Sequence, residues 1–340
     1  MSIDPKLRQG ARNAVRTCMN TAAEDRVFIT TDDATLLIGE ALADEVMDAG
    51  GTVKMVRLEE FGQRPLIDVP QGLVEQSIAF RPTITFFAAG SQPGEVQMRM
   101  ALAIVLREAF SEAGIPQPRS AHMIGITPQI MATGMLTDYS RVYEITMAVF
   151  ERVRLAKSIH VTSAKGSDLT ATFDPELRWN PMHGRLHQPG NWGNLPEGEV
   201  FTCPATAEGL VVADVLGDYF SSKYGVLNNP ITFEIHDGWV DKVTCQDPSV
   251  AEEVWKYLSS NDNGRRVGEF AIGTNLGVKE LIGNMLQDEK IPGVHVAFGN
   301  PIGFMTGARW TASTHVDVVP THCTIEVDGE VLMKDGDFIL

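Results

Sequence analysis

Apolar positions in the first half of the chain alternate between two spacings. Over residues 6–21 they fall at Leu7, Ala11, Ala14, Val15 and Cys18, the spacing of one helical face. Arg26-Val27-Phe28-Ile29-Thr30 is a short apolar run that predicts a strand. Asp32 or Asp33 then offers an N-cap for a helix over 36–47, stopped by Gly50-Gly51. The alternation continues with strands over 52–57, 83–87 and 121–126, and helices over 73–78 and 95–113. Near-continuous apolar strands separated by helices predict a parallel sheet covered on both faces.

The outline is that of a Rossmann fold, without its cofactor signature. Thr30-Thr31-Asp32-Asp33 follows the first strand where a glycine-rich phosphate loop would stand. Acids at a helix N-terminus disfavour a dinucleotide phosphate, so this half reads as scaffold.

A helix over 140–156 leads into a different texture. Runs at 158–162 and 169–173 predict strands joined through Gly166, and 191–196 reads as a Gly/Pro/Asn loop. Strands over 231–235 and 239–245 flank His236-Asp237-Gly238, where Asp-Gly signals a tight turn. A helix over 250–258 and a closing meander over 324–340 complete the pattern. The expected organisation is an α/β domain over 1–157 followed by a strand-rich α+β domain over 158–340. No internal repeat is visible.

Composition narrows the function classes. With 44 acids against 28 bases the net charge is −16, which argues against nucleic acid, whose phosphates need a basic patch. Cys18, Cys203, Cys245 and Cys323 form no CxxC pair, so neither a disulfide framework nor a zinc knuckle is signalled. The start lacks a signal-peptide pattern, and the apolar stretch 98–110 is charged and too short to cross a bilayer. A cytoplasmic enzyme with a small-molecule or short-peptide substrate is expected.

The candidate chemistry lies in the last 150 residues. Glu199, Glu269, His295, His315 and Asp317 flank or lie in short apolar runs, where such side chains are costly unless paired. His315 and Asp317, at i and i+2 of a strand, project from one face. Singly, each has a bland reading: His295 as a satisfied core histidine, Glu269 paired with Arg265 or Arg266, Glu199 as an edge acid. Together, two histidines and three carboxylates are a full donor set for a co-catalytic pair of Zn, Co or Mn ions. His183 and His187, spaced i and i+4, sit among Pro and Gly and read as loop residues.

Order and motif give a resemblance. Gly-Glu-Val-Phe-Thr-Cys-Pro at 198–204, Gly268-Glu269, Asp288-Glu289-Lys290 before the His-Val-Ala-Phe-Gly of 295–299, and Ser-Thr-His-Val-Asp at 313–317 resemble the aminopeptidase T family. The resemblance implies that Glu199, Glu269, His295, His315 and Asp317 bind two divalent ions with Glu269 bridging, in a homodimer that releases N-terminal residues from peptides by a metal-activated water. Glu289 would then shuttle the proton, and Arg309 and Trp310 would meet a substrate carboxylate or aromatic ring. The family carries a tyrosine seven residues after the first of these histidines, where this chain has Ile302, so a phenol able to stabilise a tetrahedral intermediate is missing. The 2,5-dihydroxypyridine 5,6-dioxygenases share the scaffold and hold one Fe(II) with two His and one Asp. His315 and Asp317 match their final pair, and their first His falls at Glu269. The alternative expectation is therefore a ring-cleaving dioxygenase for a dihydroxypyridine-like or other hydroxylated aromatic substrate, with His295, His315 and Asp317 as its iron face.

Overall fold

The alternation of strands and helices in the first 140 residues supplies four strands of a five-stranded parallel sheet. Its order is Thr52–Arg57, Arg26–Thr31, Ile84–Ala88, Arg119–His122 and Trp192–Asn194. The computed structural model describes residues 4–340. These divide into two compact units, residues 4–140 with Gly184–Glu197, and Arg141–His183 with Gly198–Leu340. The boundary expected at 157/158 differs from this division in two stretches. Most of helix Tyr139–Val153 lies in the second unit, where Ile145, Val149 and Val153 join the main core. Residues 184–197 lie in the first, because the 191–196 segment read as a loop contains the fifth parallel strand, paired with Arg119–His122.

Two local expectations in the first unit are corrected. The helix expected over 6–21 runs as Pro5–Arg12 and continues as a wider π-helical segment, Asn13–Cys18. Neither Asp32 nor Asp33 is the N-cap of helix Leu36–Asp48; Thr35 holds that position without a side-chain cap bond. Asp32 is instead fully buried and accepts hydrogen bonds from Thr35 N (2.8 Å), Thr35 Oγ1 (2.7 Å) and Gly90 N (2.7 Å). Arg64, itself bonded to Asp32, reaches Glu95 at 2.5 Å. A buried acid kept ionised in this way ties the ends of two adjacent strands rather than one helix end.

The second unit holds two antiparallel-dominated sheets. An eight-stranded sheet runs in the order Trp239–Thr244, Ile231–His236, Thr206–Ala213, Asp168–Thr172, Ser158–Ser163, Cys323–Val327, Glu330–Lys334 and Asp337–Phe338. A six-stranded sheet runs Val215–Leu216, His315–Val319, Gly293–Gly299, Val267–Gly273, Glu199–Thr202 and Asn180–Met182. Their apolar faces share one core in which Phe233 and Phe298 rings lie 4.9 Å apart and Phe173 and Phe270 5.4 Å apart. Phe233, Phe270 and Phe298 are fully buried, and each such ring contributes about 1.5–3 kcal/mol relative to an exposed one.

Candidate metal centre

Strand alternation sorts the six-stranded sheet into an apolar and a chemical face. Phe270, Ile272, Val294, Val296, Phe298, Val316 and Val318 point into the core. The intervening residues point the other way, as the two-residue period requires. The register then brings distant acids and imidazoles together. Glu269 pairs with Ala297, and Ala297 with Asp317 on its other side. His295 pairs with Ala271, His315 with Gly299, and Glu199 with Gly273. Each donor thus stands opposite alanine or glycine, leaving its side chain room over the sheet. Gly273 and Gly299 also face tight backbone: an added Cβ would lie 2.0 Å from Ile291 O and 2.2 Å from Thr314 O.

The five donors form two overlapping triads, Glu199–Glu269–His295 and Glu269–His315–Asp317, each able to hold a metal ion. His295 Nε2 lies 3.4 Å from Glu269 Oε1 and 3.5 Å from Glu199 Oε2. His315 Nε2 lies 3.6 Å from Glu269 Oε2 and 3.4 Å from Asp317 Oδ1. Ligands about 2.1 Å from a common ion would be separated by about such distances. Glu269 therefore faces the two histidines rather than Arg265 or Arg266, and its carboxylate is common to both triads. His295 falls in one triad while His315 and Asp317 fall in the other, so the grouping His295–His315–Asp317 is not the one the geometry selects.

The surroundings fit a cation. Glu199 Oε2, Glu269 Oε2 and His295 Nδ1 are buried and have no hydrogen-bond partner among the described residues. Such orphaned atoms cost free energy that coordination would recover. His315 Nδ1 donates to Asn300 O at 2.8 Å, which turns Nε2 towards the acids, the arrangement common around metal-binding histidines. Without an ion, protons take the cation's place. Burial opposes charge on His295, but Glu269, Glu199 and Asp317 outweigh it and hold the imidazole up at about 9. Burial likewise opposes charge on His315, yet Asp317 and Glu269 hold it at about 10. Burial also disfavours ionised Asp317, but His315, His295 and Lys290 pull its carboxyl down to about 2.

Lys290 is a component that sequence reasoning quoted but gave no role. It is 1% exposed, and its Nζ lies 2.8 Å from both Glu199 Oε1 and Glu289 Oε1. A lysine directly after Asp288-Glu289 and shortly before the strand that carries His295 was the available signal. Burial, with Asp317 and Glu199 nearby, pushes the Glu289 carboxyl well above the usual carboxylate range despite Lys290 beside it. Neighbouring Asp288 accepts the backbone N–H groups of Ile282, Gly283 and Asn284 at 2.7–3.0 Å, anchoring the loop that delivers both residues. Arg309 is exposed on the segment between the histidine strands, and Trp310 packs under the Arg266 guanidinium at 4.3 Å. His183 and His187 lie outside helices and strands; the ring of His187 meets Thr17 O at 2.9 Å. A third group, Glu208, His236 and Asp237, is exposed at a hairpin turn and already hydrogen-bonded within itself.

Two solved structures share the fold over nearly the whole chain. The 2,5-dihydroxypyridine dioxygenase of Pseudomonas putida KT2440 is 18% identical with a TM-score of 0.66, covering 98% of this chain and 96% of that one. Wild-type AmpT from Thermus thermophilus is 19% identical with a TM-score of 0.69, covering 100% of both. No curated protein matches the sequence. A family described as 2,5-dihydroxypyridine 5,6-dioxygenase matches residues 127–340, a stretch that contains all five donors, Glu289 and Lys290. The chain is an enzyme, and it belongs to the 2,5-dihydroxypyridine 5,6-dioxygenase family.

Proposed function

We propose that the protein is a metal-dependent ring-opening dioxygenase acting on a dihydroxypyridine-like or other hydroxylated aromatic substrate. The observation that carries this reading is the family match across the entire donor-bearing sheet. Glu269, His315 and Asp317 would hold the ion, with His315 oriented by Asn300. A ferrous ion there would supply the one-electron and oxygen chemistry that amino-acid side chains lack. Lys290 offsets part of the carboxylate charge. Glu289, whose carboxyl burial holds above the usual carboxylate range, can exchange a proton with a ring hydroxyl. The test is oxygen uptake by undialysed protein on a panel of dihydroxypyridines and catechols, with metal analysis. One iron per chain and consumption of O2 equal to substrate lost supports the reading; no uptake on any hydroxylated ring with iron loaded sinks it.

One observation favours a second reading. Glu269 is common to two triads, the arrangement expected of a carboxylate bridging two ions in a hydrolase that activates water. On that reading the substrate is a peptide or other small amide, and Ile302 replaces the phenol expected of the aminopeptidases. Two Zn, Co or Mn ions per chain and release of leucine from Leu-p-nitroanilide would favour it over the oxygenase.

A further inference from the structure

We propose that Lys290 is a built-in cation that makes the two triads unequal, so that the Glu269–His315–Asp317 triad takes the first metal ion and the Glu199–Glu269–His295 triad is held largely in reserve. This rests on the metal-centre reading above and concerns which of its two positions is filled. Lys290 Nζ sits 2.8 Å from Glu199 Oε1 with the side chain 1% exposed, so the triad acid it touches is Glu199, and it acts on Asp317 only from beyond ion-pair distance. A second ion bound to Glu199 would have to share that carboxylate with an ammonium 2.8 Å away, in surroundings where like charges are poorly screened. Glu289 Oε1 also lies 2.8 Å from the ammonium, a second contact that keeps Lys290 from swinging clear. Among the described residues no ammonium lies within ion-pair distance of Glu269 or Asp317: the contacts at Glu269 Oε2 and Asp317 Oδ1 are to His315 Nε2, at 3.6 Å and 3.4 Å. A donor inventory sufficient for two ions is thereby reconciled with work at one. Lys290 is in this sense a positioning residue that sets metal number, not a group that touches substrate.

The experiment is Mn2+ titration of the full-length, metal-free protein, with free ion counted by electron paramagnetic resonance. The wild-type chain should bind one ion tightly and a second about 100-fold more weakly, the scale on which groups beside a ligand set affinity. Lys290→Met, which keeps the volume and removes the charge, should bring the second affinity to within about tenfold of the first and yield an exchange-coupled two-manganese spectrum. Lys290→Arg should keep the wild-type pattern. Two equally tight ions in the wild type, or a single ion in folded Lys290→Met, overturns the proposal. Should Lys290→Met not fold, Glu199→Gln decides: it should keep the tight ion and lose the weak one, and loss of the tight ion overturns the assignment. Asp317→Asn separates this from failure of the site itself. If that variant still binds the tight ion, the metal centre has been placed wrongly; if it does not, only the order of filling is at stake in the other arms.

Discussion

Ala297 stands in direct register with Glu269 across the two central strands of the six-stranded sheet. The pairing puts a methyl group beside the one carboxylate common to both donor triads, and Ala297 is fully buried. A larger side chain there would occupy the space an ion needs. Ala297→Leu is expected to destabilise the fold by about 1–3 kcal/mol through overpacking and to abolish metal uptake. Urea unfolding and metal analysis of the same preparation check both; full metal content in a folded Ala297→Leu protein would contradict the placement of the ion.

Glu269→Ala is expected to empty both positions, since each triad loses a donor. Glu199→Ala should affect one position only. Calorimetric titration with Mn2+ reads the difference, and equal losses in the two variants would mean that Glu269 does not join the triads.

The raised imidazole values fix a pH dependence. In the metal-free protein His295 and His315 hold their protons up to about 9 and about 10. Each ion needs the histidine of its own triad neutral, so binding at pH 7 should release about one proton per ion and strengthen as pH rises. Titration in buffers of different ionisation enthalpy counts the protons. The sign for stability is opposite without metal. Folded values lie above the unfolded one, so the charged histidines stabilise the metal-free fold fully below about pH 6.5, and that support is lost as pH rises through 9 to 10. Metal-free protein should therefore melt at lower temperature at pH 10 than at pH 7. No proton release on metal binding would count against the site.

Ile302 carries φ 50° and ψ 50°, the left-handed region that a β-branched residue occupies only under strain. Its N–H donates to Asn300 Oδ1 at 2.9 Å, which holds the turn beside the His315-orienting carbonyl. Ile302→Asn should relieve the strain and stabilise the fold by about 1 kcal/mol. Thermal unfolding tests this, and a lower melting temperature would show that the Ile302 side chain contributes more than its backbone costs.

Arg64 joins two fully buried acids, Asp32 and Glu95, in the first unit. Arg64→Met leaves both without their partner and should cost about 3–5 kcal/mol. Burial opposes ionisation of both acids, but Thr35 and Arg64 hold Asp32 low, and Arg64 and Leu66 N hold Glu95 low. Their contribution is present above the unfolded carboxylate range and fades as pH falls, so the variant should narrow its gap to wild type in acid. A pH series of urea melts reads this out, and a gap that widens below pH 4 would contradict it.

Much of the architecture was legible before any coordinates. Periodicity located the strands and helices of the parallel sheet, and the spacing of Glu199, Glu269, His295, His315 and Asp317 in apolar runs singled them out because charge in such runs needs a partner. Where the reading missed, longer-range forces had decided. Asp32 looked like a helix cap in the local sequence, but Arg64 and Gly90, far along the chain, draw it inward. The 191–196 segment has loop composition, yet an open edge beside Arg119–His122 pairs it as a strand.

Sequence alone determined which face each donor occupies, because side chains alternate along a strand whatever its neighbours. It could not determine which donors meet. That depends on strand order and register: the pairings Glu269–Ala297 and Ala297–Asp317 bring Glu269 and Asp317, 48 positions apart, to one patch, and Ala271–His295 adds the imidazole. Nor could it show that Lys290 turns towards Glu199. Only the assembled sheet removes water from that ammonium and that carboxylate together, and it is this shared burial that makes their pairing consequential.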